Sequence, residues 1–200
     1  MGSLPVVITD TVITDCSQPL LKECEDTKLT ILIETFSTLF LTSENTILVS
    51  GEDEPIYLPA NSLHSHHRII FANDFFSSAL HEISHWLVAG EQRRSLEDYG
   101  YWYKPDGRSD GEQAEFERVE IKPQALEWLL SVACDHEFYF SADNLNGNSA
   151  ISIEFKDAVY WQVMSYLDKD NESRRSLLLH RLIDVFDQPY PVKNSFNRSF

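Results

Sequence analysis

The segment from His81 to His85 carries the clearest chemistry in this sequence. It reads His-Glu-Ile-Ser-His, an H-E-x-x-H motif. Residues four apart on an α-helix lie on one face about one turn apart, so the imidazoles of His81 and His85 can bind one metal ion. Glu82 lies beside them as a candidate catalytic carboxylate. A single histidine here would instead be read as a hydrogen-bonded core residue, but the pair favours a metal site.

The residues around the motif predict the helix that it needs. An apolar stripe recurs at helical spacing and consists of Phe76, Ala79, Leu80, Ile83 and Leu87. Asn73 or Asp74 can cap the start of this helix, and Gly90 is a natural residue for its end. The motif is therefore predicted on a largely buried helix.

A Zn or Fe(II) site needs at least one further protein ligand, and two glutamates are the best candidates. Glu117 and Glu120 are three residues apart in a helical stretch from about Glu112 to Cys134. We favour Glu120 as the third metal ligand and Glu117 as the partner of an imidazole N–H. The alternative is that both are surface carboxylates. Pro123 predicts a kink in this stretch or a new helix beginning there.

Two histidines and one carboxylate support two chemistries, between which the spacing does not decide. With Zn, Glu82 would act as the general base of a peptidase. With Fe(II), the same ligand set is typical of oxygenases that use dioxygen. The cluster of His64, His66 and His67 precedes a predicted strand and favours a structural role over metal ligation.

Composition sets the class of protein. Two hundred residues suit one domain, and a formal net charge of -16 argues against binding to nucleic acid or to an anionic membrane. Cys16, Cys24 and Cys134 form no C-x-x-C pair, which favours a reducing compartment. No secretory signal and no membrane span is evident, so we expect a cytoplasmic protein.

The pattern of elements predicts an α+β fold with a single domain, in which helices pack on a small sheet. We divide the chain into an N-terminal extension (1–27, with a short strand near Val6–Ile8), a domain (28–190) and a loose tail (191–200). The predicted helices are Lys28–Leu41, the motif helix, the stretch with Pro123, Ser152–Leu167 and Glu172–Phe186; the predicted strands are Thr46–Ser50, Arg68–Ala72 and Phe138–Ser141. Between the first two strands, residues 51–59 are predicted as a turn and extended segment, and Asp143–Ser149 as a loop.

Four segments resemble the bacterial elongation factor P hydroxylases. They are Gly51–Ala60, the motif segment His81–Trp86, the aromatic loop Gly100–Arg108 and Val119–Trp128. They occur in the order found in that family, and the likeness extends over about residues 28–167.

The resemblance implies an enzyme that hydroxylates the lysine of elongation factor P after a β-lysyl group has been attached. It implies a non-haem metal held by His81, His85 and Glu120, with Fe(II) favoured over Zn or another divalent metal, and O2 as co-substrate. It also implies some likeness to zinc peptidases (zincins) around the motif helix. Glu82 would then orient a ligand or relay protons.

The modified lysine carries ammonium groups, so acidic residues near the cleft are expected to receive it. The candidate substrate-binding residues are the acids Asp53, Glu54, Asp98 and Asp106 and the aromatics Tyr101 and Tyr103. The alternative for each is an ordinary loop residue.

Docking of an elongation factor that we expect to be acidic requires a local basic patch. The adjacent arginine pairs are Arg93–Arg94 and Arg174–Arg175, and Arg93–Arg94 is the preferred contact surface. The alternative is that these two cap the motif helix or pair with Glu91 and Glu97.

Two other functions remain open from the sequence. A zinc metallopeptidase would place an edge strand along a groove for an extended peptide. A non-catalytic module would use a closed, fully ligated metal to hold its fold.

Overall fold

The computed structural model describes residues 17–52, 54–100, 109–141, 151–169 and 173–198, without the side chains of 17–24 and 110. Within these ranges, the helices are α1 (Ser17–Glu44), α2 (Phe76–Val88), α3 (Asp110–Ala133), α4 (Ile153–Leu167) and α5 (Arg174–Val185). The strands are β1 (Thr46–Ser50), β2 (Ile56–Leu58) and β3 (His67–Phe71). The predicted α+β class is confirmed.

The strands form a three-stranded sheet in the order β1-β3-β2. The central strand β3 runs parallel to β1 and antiparallel to β2. It is rich in Ile and Phe and buries Ile69 and Phe71, as expected for a central strand packed under helices. The chain leaves β3 and enters α2 almost at once, so the sheet fixes where α2 begins.

An aromatic cluster joins α1 to α2. Phe36 and Phe40 lie four residues apart on α1, and both pack on the Trp86 ring with centroid distances of 5.2 and 4.9 Å. All three side chains are fully buried, which stabilises the fold by about 2–3 kcal/mol for each side chain. This contact holds one face of α2 in the core and leaves its other face for His81 and His85.

The ends of α2 differ from the sequence prediction. Neither Asn73 nor Asp74 caps the helix, because both have positive φ and the N-cap is Phe75. The Asp74 carboxylate instead accepts a hydrogen bond from Ser50. Gly90 does not adopt the left-handed conformation of a C-cap either. The guanidinium groups of Arg94 and Arg174 donate to the Ala89 carbonyl at the end of the helix.

Helices α1 and α3 are longer and more continuous than predicted. Helix α1 begins at Ser17, not near Lys28, so part of the predicted extension is helical. Residues 1–16, with the predicted strand at Val6–Ile8, lie outside the described residues. Helix α3 runs through Pro123 without interruption, so the prediction of a new helix there is wrong.

The predicted strand Phe138–Ser141 is wrong. Its backbone at Ser141 is bonded by the Gln124 side chain, which donates to the carbonyl at 2.7 Å and accepts from the N–H at 3.2 Å. Phe138 and Phe140 both pack against the Trp128 ring of α3. The segment therefore obtains its contacts from α3 instead of from a neighbouring strand. The predicted loop Asp143–Ser149 lies outside the described residues.

The predicted loose tail is packed as far as Arg198. Phe196 is buried against Trp128, with 5.4 Å between the ring centroids. The Arg198 guanidinium forms two hydrogen bonds of 2.8 Å with the Asp157 carboxylate of α4. Among the described helices, none has the length and apolar character needed to cross a membrane.

Candidate metal centre

His81 and His85 project from the same face of α2 and converge on one point. Their Nε2 atoms are 3.0 Å apart, and each side chain is mostly buried but retains some exposure. This arrangement follows from the i, i+4 spacing on a helix whose opposite face is anchored in the core.

Glu120 of α3 completes a set of three donors. Its Oε1 lies 3.4 Å from His85 Nε2 and its Oε2 lies 3.7 Å from His81 Nε2. Two donors that each lie roughly 2.1 Å from one ion are separated by about 3.0–3.4 Å. The three donor atoms, all within 4.8 Å of one another, therefore have nearly the spacing that a shared metal ion requires.

The chemistry of the three donors also fits a divalent cation. Glu120 Oε2 is buried and has no hydrogen-bond partner among the described residues. An unpaired buried carboxylate oxygen is costly, and a bound cation would satisfy it. Two imidazoles and one carboxylate suit Fe(II) and Zn alike.

Glu127 orients the first imidazole from behind. His81 Nδ1 lies 2.7 Å from Glu127 Oε2, so the Nδ1–H donates to the carboxylate and the Nε2 lone pair faces the other donors. Glu117, the residue predicted for this role, accepts a hydrogen bond from Ser152 at 2.9 Å instead. The missed signal is spacing: Glu127 follows Glu120 by seven residues (127 − 120), two helical turns, on one face.

The charges of the site reinforce one another. Burial by itself would raise the pKa of Glu120, but the imidazoles of His85 and His81 lower it to about 2. Burial would likewise lower the pKa of His81, yet the Glu127 carboxylate, followed by that of Glu120, raises it well above its ordinary value. These four groups therefore form a cluster of charged partners, and a metal ion would take the place of the imidazole protons that face Glu120.

Glu82 lies next to this cluster, but its pKa is shifted upward, whereas that of Glu120 is shifted downward. Burial raises its pKa, and the nearby carboxylates of Glu120 and Asp98 add to the rise, although His85 and His81 oppose it. A carboxyl group in such surroundings retains its proton more readily than an exposed one, which suits a group that moves protons.

Residues 35–196 match the family described as elongation factor P hydroxylase. The chain belongs to this family. A relative in Haemophilus influenzae (strain ATCC 51907 / DSM 11121 / KW20 / Rd), the elongation factor P lysine hydroxylase, is 54% identical over 159 residues, 80% of this chain and 89% of the relative. The predicted family is confirmed, and with it the enzyme class of its members, a hydroxylase.

In this member of the elongation factor P hydroxylase family, a strained turn lies beside His85. Asp98 and Tyr99 both have positive φ, 46° and 57°, which is unusual for a bulky residue such as Tyr99. Asp98 Oδ1 accepts a hydrogen bond from the Tyr57 N–H at 2.9 Å. The Tyr99 ring stacks on Tyr57 at 4.4 Å and lies parallel to the His85 ring at 6.5 Å. Tyr99 was not among the aromatic residues predicted from the sequence to line the site.

The structure describes two of the six predicted substrate-binding residues. Glu54 is exposed, and Asp98 is half-buried at the turn just described. Asp53, Tyr101, Tyr103 and Asp106 lie outside the described residues.

The histidine cluster before β3 makes structural contacts, in agreement with the role favoured from the sequence. His66 bonds the Asn45 side chain at 2.7 Å, and His67 Nδ1 accepts a hydrogen bond from the Ala60 N–H at 3.0 Å.

Arg94 makes the contacts expected from the capping alternative to a docking role. Its guanidinium pairs with the Glu44 carboxylate at 3.0 Å and donates to the Ala89 carbonyl at 3.1 Å. It therefore closes the end of α2, which is the capping alternative, although its acidic partner is Glu44 instead of Glu91 or Glu97. Arg93 donates to the Tyr99 carbonyl at 3.0 Å and so helps to hold the strained turn.

Proposed function

We propose that this chain hydroxylates the lysine of elongation factor P that carries a β-lysyl group, with a metal ion held by His81, His85 and Glu120. The observation that carries the proposal is the convergence of these three donors from α2 and α3, with the donor atoms within 4.8 Å of one another. The name of the Haemophilus influenzae relative supports the substrate, since that protein is an elongation factor P lysine hydroxylase.

A bound Fe(II) ion with O2 as co-substrate would supply the oxidising power that inserts oxygen into a C–H bond, and its three protein ligands would leave other positions open. The residues of the chain do the rest. Glu127 fixes the tautomer of His81, so that the Nε2 lone pair stays available. Glu82, with its raised pKa, is the group we assign to proton transfer.

The cationic substrate arm requires negative charge and an apolar wall near the metal. We propose that acids receive its ammonium groups and that aromatic rings flank its aliphatic part. The residues proposed for these roles remain Asp53, Glu54, Asp98, Asp106, Tyr101 and Tyr103. Asp98 is near enough to the Glu82 carboxyl group for its negative charge to raise the pKa of Glu82.

The geometry of the sheet gives the peptidase alternative no support. A peptide groove would use the free edge of β2, but the Tyr57 N–H on that edge is already bonded by Asp98. The turn from Glu97 to Gly100 therefore covers the edge that an extended peptide would need.

The decisive experiment measures the mass of the substrate protein. Elongation factor P bearing the β-lysyl group is incubated in air with the Fe(II)-loaded chain and a reductant, whose two electrons convert the second atom of O2 to water. The substrate protein is then weighed by intact mass spectrometry. We expect a gain of one oxygen atom with the wild-type chain, and none with His81→Ala or Glu120→Gln, because each variant removes one donor.

Glu117→Gln is the matched control, since Glu117 lies one turn from Glu120 on α3 and bonds Ser152. It should retain the activity. A gain of oxygen that survives Glu120→Gln but not Glu117→Gln would reverse our choice of third ligand. No gain with the wild-type chain under any metal or reductant would contradict the proposed function.

A further inference from the structure

A groove of about 480 Å³ lies where the C-terminal end of α2 meets α3, α4 and α5. We call it the basic groove, after the four cationic residues that line it: Lys122, Lys169, Arg174 and Arg175. Its apolar part includes Leu87 and Val88, and Val88 is 38% exposed.

The charge of the basic groove is opposite to that of the chain. The sequence has 32 acidic and 16 basic residues, yet none of the described residues that line this groove is acidic. A quarter of the basic residues of the chain (4 of 16) are therefore gathered at one concave surface. Clefts lined by one sign of charge concentrate the electrostatic field and attract groups of the opposite sign.

The two arginines of the basic groove are held by the fold. The Arg174 guanidinium stacks 4.2 Å from the Trp86 ring centre and donates to the Ala89 carbonyl at 2.9 Å. The Arg175 guanidinium lies 4.6 Å from the Tyr166 ring centre. Among the described residues, neither guanidinium forms an ion pair with a carboxylate.

The Glu44 carboxylate, which pairs with Arg94, offsets part of the positive charge of Arg174. Its Nη1 is buried and has no hydrogen-bond partner among the described residues. Burial, and next the nearby Arg94 guanidinium, lower the pKa of Arg174 to about 10. Lys122 and Lys169 are exposed at the rim, where they can meet an incoming anionic surface.

The basic groove is bordered by the same two helices that carry the candidate metal ligands. Val88 follows His85 by three residues (88 − 85) and Lys122 follows Glu120 by two (122 − 120). At a rise of about 1.5 Å per residue, these positions lie within one helical turn of the ligands. On α3, however, a residue two positions on points to nearly the opposite side, so a partner seated in the groove would contact the side of α3 away from Glu120.

We infer that the basic groove docks an acidic segment of the protein substrate. The inference rests on the proposed function, because it takes elongation factor P as the partner. A chain with a net charge of -16 repels any acidic protein at long range, so productive encounter needs a local region of opposite charge. The groove supplies that region, with apolar side chains that can cover an aliphatic or aromatic residue of the segment.

The test compares two double variants with equal changes in charge. Lys122→Glu/Lys169→Glu reverses the rim of the groove, while the control Arg181→Glu/Lys193→Glu reverses two exposed cations that do not line it. Association with β-lysylated elongation factor P is measured by stopped flow at several salt concentrations. We expect the groove variant to associate about ten-fold more slowly at low salt, with a weaker salt dependence, and the control to resemble the wild type.

Steady-state kinetics gives the second readout. The groove variant should raise KM for elongation factor P and leave kcat unchanged, because it leaves the metal centre intact. Equal association rates and equal KM for the groove variant and the control would overturn the docking site while leaving the hydroxylase activity established. Failure of the wild-type chain to bind or hydroxylate elongation factor P would overturn the proposed function and the docking site together. Loss of RNA oligonucleotide binding in the groove variant, with binding of elongation factor P unchanged, would assign the groove to nucleic acid and overturn the inference.

Discussion

The two nitrogens of the His81 imidazole make different contacts. Its Nε2 faces Glu120 and His85, while its Nδ1 donates to Glu127 at 2.7 Å. A hydrogen bond from the second nitrogen to a carboxylate fixes the ring and makes the first nitrogen a stronger ligand. Glu127 is mostly buried, which limits the competition of water for this hydrogen bond.

Removing the Glu127 carboxylate should weaken metal binding. We expect Glu127→Leu to raise the metal dissociation constant about 10- to 100-fold, because the His81 ring loses its orientation and basicity. Glu127→Gln should have a smaller effect, since an amide oxygen can still accept from Nδ1–H. Titration against a chromophoric chelator measures both constants.

The neighbouring carboxylate of Glu117 provides the control for this measurement. Glu117→Gln changes the same charge on the same helix but touches Ser152 and should leave the metal constant unchanged. Equal weakening by Glu117→Gln and Glu127→Gln would point to a general loss of negative charge and contradict the orienting role of Glu127.

The sequence predicts these residues unequally, for a physical reason. The pair His81 and His85 is visible because both lie on one helix with fixed geometry, and the structure indeed places their Nε2 atoms together. Glu120 could be favoured only by its place in a second helix. The spacing of Glu127, two turns from Glu120 on one face, was visible in the sequence, but its hydrogen bond to His81 depends on how α3 packs against α2.

At the scale of elements, the turn from Glu97 to Gly100 connects the sheet edge to the metal centre. Its Asp98 carboxylate bonds the β2 backbone, and its Tyr99 ring lies between Tyr57 and His85. Tyr99 in a left-handed conformation costs of order 1–2 kcal/mol, which the surrounding contacts must offset. The turn is therefore rigid because neighbouring elements hold it.

Substitutions of Asp98 should separate its structural role from a role in substrate binding. Asp98→Ala removes the bond to the Tyr57 N–H and should lower the free energy of unfolding by about 1–2 kcal/mol. Asp98→Asn keeps an acceptor and should remain close to the wild type in urea unfolding. The exposed neighbour gives a control, since Glu97→Ala should change stability little.

Kinetics of the same Asp98→Asn variant tests the charge. If the carboxylate receives an ammonium group of the substrate, KM rises although stability is unchanged. An Asp98→Asn variant with normal stability and normal KM would remove Asp98 from the substrate-binding residues.

Elements with strong periodicity were predictable, and their ends were not. The apolar stripe of α2 is confirmed, since Phe76, Ala79, Leu80 and Ile83 are buried. The end of α2 depends on Arg94 and on Arg174, which lies far along the chain, so no local rule about Gly90 could find it. The alternation in Phe138–Ser141 resembled a strand because its aromatics alternate onto Trp128.

For the whole molecule, one histidine outside the metal centre provides a pH-dependent contribution to stability. Burial, and then the Arg94 charge, lower the pKa of His67 below its ordinary value near 6.5. The unfolded chain therefore binds this proton more readily than the folded chain. The contribution of neutral His67 to stability is present above about pH 6.5 and is lost as the pH falls through the lower, folded pKa.

A variant that lacks the titrating imidazole of His67 should lose less stability as the pH falls. In His67→Asn, the amide oxygen can accept from the Ala60 N–H in place of Nδ1 and does not titrate. We expect the wild type to lose stability relative to His67→Asn between pH 7 and pH 5. Urea unfolding at each pH measures this difference. A constant difference across this range would show that His67 titrates alike in both states.

Because His81 contacts both Glu120 and Glu127, we expect α2 and α3 to separate together in local unfolding. Glu120 and Glu127 lie two turns apart on α3 and both face this one ring, so a local separation of the helices must release both at once. The amides of the two helices then share one free energy of exposure to solvent deuterium. Helices α2 and α3 would then form one cooperative unfolding unit, and a metal ion bound between them would raise the free energy needed to open it.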